Sequence, residues 1–174
     1  MNANIESPRG RRLIFTGEGK GKTTAALGMI LRAVGRGQSV HLAQFFKTGG
    51  SGEIAALEAL PGVTVSHDGL GFVLGDPEPH RQAVRRLWDA IGRREGAAAH
   101  LLVLDEICIA VSKNFLGEAE VGAFLDRRSP DSVTVLTGRH ATPGLVAMAD
   151  TVTEMRCVKH GAATGWPAQD GVER

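Results

Sequence analysis

Apolar residues in this chain fall into short runs separated by longer stretches with helical spacing. The runs at 13–15, 39–45, 63–65, 100–106, 133–137 and 151–155 read as strands. Between them, residues 24–34, 53–60, 78–95, 118–127 and 143–149 read as helices. The clearest is 78–95, where Val84, Leu87, Trp88 and Ile91 fall on one face. The run HLLVLDE at 100–106 is apolar without alternation up to its acidic end, as in a strand buried on both faces of a parallel sheet. Gly35 and Gly37 close the first helix, Pro61-Gly62 breaks the second, and Pro143 opens the last. Residues 47–52 and 67–79 read as loops rich in glycine. This alternation predicts an α/β fold with a mostly parallel sheet flanked by helices. No repeat or linker divides the chain. It reads as a single domain over 1–174, with a short N-terminal arm (1–10) and an irregular C-terminal tail (156–174).

One junction between strand and helix carries the chemistry. The first strand runs into a loop with Gly17, Gly19 and Gly21 and ends in Lys22-Thr23, where a helix-forming run begins at Thr24. Glycines let backbone N–H groups turn inward on an anion, and a helix N-terminus adds partial positive charge. Lys22 supplies a mobile cation for phosphate oxygens, and the Thr23 hydroxyl suits a magnesium ion. The spacing departs from the usual phosphate-loop pattern: Thr16 stands where the first glycine belongs, so the loop read from Gly17 is one residue shorter, and it carries an extra Lys20. Asp105 and Glu106 end the buried strand at 100–106, where carboxylates hold magnesium directly or through water. Asp105 is the better metal candidate; Glu106 suits water or ligand hydroxyls.

Composition narrows the classes. Of 174 residues, 43% are hydrophobic and 22% charged, ordinary for a globular domain long enough to bury a substantial core. A net charge of +1 argues against a nucleic-acid footprint. Cys108 and Cys157 are too few for a disulfide framework or a cysteine-rich zinc site. No long apolar run suggests a membrane span or a leader, so a cytoplasmic protein is expected.

The segments TGEGKGKTTAA (16–26), LRAVGRG (31–37) and QFFK (44–47) resemble the bacterial ATP:corrinoid adenosyltransferases that also handle cob(I)yrinic acid a,c-diamide. The likeness continues through Gly71-Phe72, Leu104-Asp105-Glu106, Thr137-Gly138-Arg139, residues 149–154, 158–160 and 168–173. It implies a RecA-like P-loop fold and transfer of the 5′-deoxyadenosyl group of ATP to the Co(I) of a corrinoid, with release of triphosphate. It further implies magnesium, a flavoprotein reductant, a homodimer, and a nucleotide lying in the loop in the sense opposite to most P-loop enzymes. By resemblance Gly17, Glu18, Gly19, Lys20, Gly21, Lys22, Thr23 and Thr24 meet the triphosphate, and Thr23, Asp105 and Glu106 serve the metal. Arg32 is assigned to nucleotide or a neighbouring subunit, an exposed helix arginine being the plain alternative. Phe72 corresponds to the family's aromatic residue beside the corrin ring and, with Lys22, is the catalytic assignment; a loop phenylalanine plugging the core is its alternative. Leu74, Glu53 and Arg139 are expected on the corrinoid side, with Lys47 flanking the same loop. His160 reads as a surface histidine.

The chain departs from the family pattern where the corrinoid is expected. Leu74 replaces a second aromatic residue, the N-terminal arm is short, and Cys108-Ile109 replaces a polar and an aromatic residue. Two other classes remain open on the residues alone. One is a P-loop ATPase or kinase releasing ADP and phosphate; the other is a non-catalytic carrier of corrinoid or nucleotide.

Overall fold

A computed structural model describes residues 9–49, 51–71, 73, 75–93, 98–169 and 171–172. The chain begins with β1 (Arg11–Thr16), α1 (Lys22–Val34), β2 (Val40–Gln44), α2 (Gly52–Glu58), β3 (Val63–His67) and α3 (Glu78–Arg93). It continues with β4 (Leu101–Asp105), α4 (Ile107–Ser112), α5 (Glu118–Asp126), β5 (Val133–Thr137), α6 (Pro143–Ala147) and β6 (Thr151–Glu154). The strands form one sheet in the order β3-β2-β4-β5-β1-β6, and every pairing is parallel. The expected mostly parallel sheet is therefore wholly parallel among the described residues.

Side chains alternate across the sheet and feed two cores. On β4, Leu102 and Leu104 join a core with α3, α4 and α5, while Leu101 and Val103 join the opposite core under α1 and α2. This explains the unbroken apolar run of β4: both of its faces are covered. Helix α1 turns Ala26, Ile30 and Ala33 toward the sheet, and α3 does so with Ala83, Val84, Leu87, Trp88 and Ile91.

Three features differ from the sequence expectation. Helix α1 starts at Lys22 rather than Thr24. Helix α4 is additional: its six residues follow Glu106 at once, and four of them are buried. The tail, expected to be irregular, holds one 3-10 turn over Gly161–Thr164. Residues 1–8 of the arm, residues 94–97 at the end of the third predicted helix, and both Phe72 and Leu74 lie outside the described residues.

A parallel sheet brings every strand's C-terminal end to one edge. Register pairs Phe15 with Thr137 and Gln44 with both Asp105 and His67, and β5 lies between β1 and β4. The polar residues ending these strands thus converge on the phosphate loop.

Candidate active site

The loop after β1 is shaped by a close neighbour. Gly17 sits at φ +94°, and a Cβ there would lie 2.5 Å from the Met155 carbonyl oxygen. The Gly19 N–H donates to that same oxygen at 2.6 Å. Glycine is required here for close backbone approach as well as for ligand access. Lys22 opens α1, and its ammonium folds back to donate to the carbonyls of Gly17 (2.8 Å) and Gly19 (2.7 Å). Burial lowers the Lys22 pKa from the ordinary lysine value, while the carboxylate of Glu106 works against that shift. The first turn of α1 holds no acidic side chain, so its N–H groups and partial positive charge face the loop without competition.

Asp105 is the hub of the site. Its Oδ1 accepts from Thr23 Oγ1 at 3.0 Å and from Thr137 Oγ1 at 2.6 Å, and its Oδ2 accepts from Gln44 Nε2 at 3.1 Å. Three elements, α1, β5 and β2, therefore fix one carboxylate. Gln44 and Thr137 were not singled out as site residues by the sequence reading. Their signal is a polar side chain closing an apolar strand at the edge where ligands bind.

Glu106 stands at φ +64°, and its N–H donates to Thr137 Oγ1 at 2.9 Å. Its Oε2 is buried with no hydrogen-bond partner. Burial, then the neighbouring Asp105 charge, push its pKa up to about 7. An orphaned carboxylate oxygen beside a Thr–Asp pair is a hard, oxygen-rich donor set, suited to a magnesium ion that completes its shell with phosphate and water. Among the described residues no cluster of three or more His, Cys, Asp or Glu side chains exists to hold a metal without such help.

Lys22 and Glu106 open onto a cleft of about 600 Å³. Glu18, Gly19, Lys20, Lys22, Glu106, Arg139, His140 and His160 line it, together with apolar Phe46, Val73 and Ile109 and the α4 residues Ser112 and Lys113. Glu18 receives Arg139 Nη1 at 3.3 Å and lies 3.8 Å from His140 Nδ1, which ties the β5–α6 loop to the phosphate loop. Lys20 Nζ donates to the carbonyl of Val172, so the tail reaches back over the loop. His160 lines the cleft while its Nδ1 accepts from the Ala162 N–H at 3.1 Å.

Other expected residues stand apart. Thr24 is exposed on the first turn of α1. Arg32 is exposed in the last turn, about 15 Å along the helix axis from Lys22, and does not line the cleft. Glu53 pairs with Lys47 at 2.9 Å beside the cleft rather than in its lining. Burial acts to raise the Glu53 pKa, but its hydrogen bonds, led by that from Lys47, hold it below the ordinary carboxylate value. Phe72 and Leu74 lie outside the described residues; Val73 between them packs against the α3–α5 core and lines the cleft. No described helix is long and apolar enough to cross a membrane.

Solved structures and curated relatives agree with this architecture. A KaiC-like protein from Pyrococcus horikoshii superposes with a TM-score of 0.54 at 18% identity, covering 86% of this chain and 72% of that one, a likeness that bears on the fold alone. A corrinoid adenosyltransferase of Pseudomonas aeruginosa is 37% identical over 98% of this chain and 87% of its own length. Its counterpart in Escherichia coli is 36% identical over 98% of this chain and 89% of its own length. The profile of the family described as ATP:corrinoid adenosyltransferase BtuR/CobO/CobP matches residues 8–174, a span that takes in the short loop, the Asp105 hub and the tail that meets Lys20. By that match the chain belongs to the ATP:corrinoid adenosyltransferase family.

Proposed function

We propose that this protein transfers the 5′-deoxyadenosyl group of ATP to the cobalt of a Co(I) corrinoid and releases intact triphosphate, in the making or salvage of adenosylcobalamin. The observation that carries the reading is the juxtaposition of a cationic loop, Glu106 and apolar Phe46, Val73 and Ile109 around one cleft, with the bonded Thr23–Asp105 pair next in the chain to its lining residues Lys22 and Glu106. The loop amides, Lys20 and Lys22 bind the triphosphate, with Arg139 and His140 nearby. Thr23, Asp105 and Glu106 would hold magnesium, which supplies neutralisation of the leaving group when bound. The cobalt lone pair attacks C5′, the C5′–O bond breaks, and triphosphate departs with its electrons; cobalt passes from Co(I) to Co(III). No P–O bond breaks. The corrinoid is itself so strong a nucleophile that the protein's work is to position, neutralise and exclude water.

On this reading the corrinoid lies against the apolar lining, with Phe72 and Leu74 assigned to it by the resemblance and Glu53 and Arg139 at its margins. Arg32, remote from the cleft, serves a neighbouring subunit in a homodimer rather than this site. A flavoprotein is the reductant that supplies Co(I).

Product analysis tests the proposal. With ATP, magnesium and chemically reduced cobalamin, phosphorus NMR shows triphosphate in step with a light-sensitive Co–C product. Lys22→Ala loses both products along with ATP affinity, because charge-assisted phosphate contacts are among the stronger polar interactions. ADP and phosphate without a Co–C product would identify an ATPase instead.

A further inference from the structure

Asp68 follows β3 directly, on the opposite side of β2 from the phosphate loop, and belongs to none of the groups assigned above. Its carboxylate is used as a clamp. Oδ2 accepts the Phe46 N–H at 2.6 Å, while Oδ1 accepts the Lys47 N–H at 3.1 Å and the Leu70 N–H at 3.4 Å. Backbone bonds run in parallel: the Asp68 N–H donates to the Gln44 carbonyl at 3.3 Å, and the Gly69 N–H donates to the Lys47 carbonyl at 3.0 Å. One side chain thus joins the loop leaving β2 to the loop leaving β3.

The join sits where the backbone is least willing. Phe46 has φ +57°, a conformation that a bulky L-residue adopts only when its surroundings impose it. Just before it, the Phe45 N–H still bonds the Asp105 carbonyl at 3.0 Å. The chain therefore leaves the sheet within one residue, and the Phe46 ring is buried 6.2 Å from the Phe115 ring while lining the cleft. A carboxylate is acceptor-only with several lone pairs, so it can receive adjacent N–H groups that no sheet partner takes. The same post anchors the start of the loop that carries Val73, the second apolar residue of the cleft.

We propose that Asp68 is a positioning residue for the second substrate: by fixing the Phe46 turn and the base of the loop after β3, it sets the apolar wall against which the corrinoid seats. The proposal rests on the adenosyltransferase reading. It predicts a split between the substrates, since the Asp68 carboxylate bonds the amides of Phe46, Lys47 and Leu70 and no group of the nucleotide site, while its link to Gln44 is a backbone bond that a side-chain substitution leaves in place.

The experiment compares wild type, Asp68→Ala and Asp68→Asn as full chains, with ATP and chemically reduced cobalamin. ATP affinity is measured by calorimetry, and kcat and KM are measured for each substrate. Small displacements of a binding wall cost up to about a hundredfold in rate, so Asp68→Ala is expected to lower kcat/KM for the corrinoid by about tenfold or more with ATP affinity within about twofold. Asp68→Asn keeps the shape and one acceptor oxygen; it should lose roughly threefold to tenfold, and it carries the test if the alanine variant does not fold. The loss should not depend on ionic strength, because the carboxylate acts on backbone amides rather than on substrate charge. An unchanged corrinoid kcat/KM, or an equal fall in ATP affinity, overturns the role of Asp68 and leaves the adenosyltransferase reading standing. A wild-type enzyme that forms no Co–C product overturns both.

Discussion

Valine at position 137 would remove one hydroxyl and almost nothing else. Thr137 is 0% exposed, so no water can substitute for what is lost. The hydroxyl has two partners, donating to Asp105 Oδ1 at 2.6 Å and accepting the Glu106 N–H at 2.9 Å. With valine, the Glu106 N–H is stranded at a residue already held at φ +64°; a buried donor without a partner costs about 1–3 kcal/mol. Asp105 loses the shortest of its three donors and keeps Thr23 and Gln44, a further loss of about 1 kcal/mol. The sum is about 2–4 kcal/mol, which in a domain of this size lowers Tm by roughly 5–15 °C. Serine keeps the hydroxyl and drops one buried methyl, costing about 1 kcal/mol. Valine is the better strand former, so intrinsic preference works against the expected order and makes the comparison severe. Thermal unfolding followed by circular dichroism should rank wild type above Thr137→Ser above Thr137→Val, and calorimetry should show weakened magnesium–ATP binding only in the valine variant. A valine variant that melts at or above the serine variant would refute the claim that this hydroxyl holds the acidic corner together.

Two further outcomes follow from buried titratable groups. Glu106 has a folded pKa of about 7 against an ordinary 4.5, so the folded state keeps a proton that the unfolded chain has released between those values. Its contribution is complete below about 4.5 and lost as pH rises through about 7, a change of about 3 kcal/mol; urea unfolding in chelator should show this decline in wild type and not in Glu106→Gln, and equal slopes would reject it. Cys108 is fully buried with its thiol pushed up to about 12, by burial and then by the Glu106 charge, whereas Cys157 is exposed. Brief iodoacetamide treatment of the native protein should therefore label Cys157 alone, as read by peptide mass spectrometry, and label both in denaturant; labelling of Cys108 under native conditions would contradict its placement.

Local pattern made much of this fold legible. The unbroken run at 101–104 announced a strand covered on both faces, and Gly-Lys-Thr followed by a helix announced the loop. Sheet order was not legible, because it rests on pairings between residues more than a hundred positions apart, such as Leu13 with Val135. The insertion of β5 between β1 and β4 is what brings Thr137 to Asp105, so the role of Thr137 was hidden with it. Helix α4 escaped because its six residues are apolar on nearly every side, which removes the periodic signal, and because it starts after a left-handed Glu106 with no side-chain cap. The partner of a backbone contact is not written in residue types, even where a glycine leaves room for it. The Met155 carbonyl on Gly19 and the amides that Asp68 receives are of this kind.

The place of β1 in the sheet has a consequence for biosynthesis. The strand is made early, yet its two neighbours are the last two strands, β5 and β6, and its loop is closed by Met155 beyond them. At a translation rate of about 5–20 residues per second, β1 waits roughly ten seconds with both edges open, exposed to the wrong partners and to chaperones that shelter such strands. The β2–β3–β4 half has its own pairings and can assemble during that wait. A nascent chain therefore acquires its nucleotide loop last, although it encodes it first, and ATP binding reports that the whole sheet has closed.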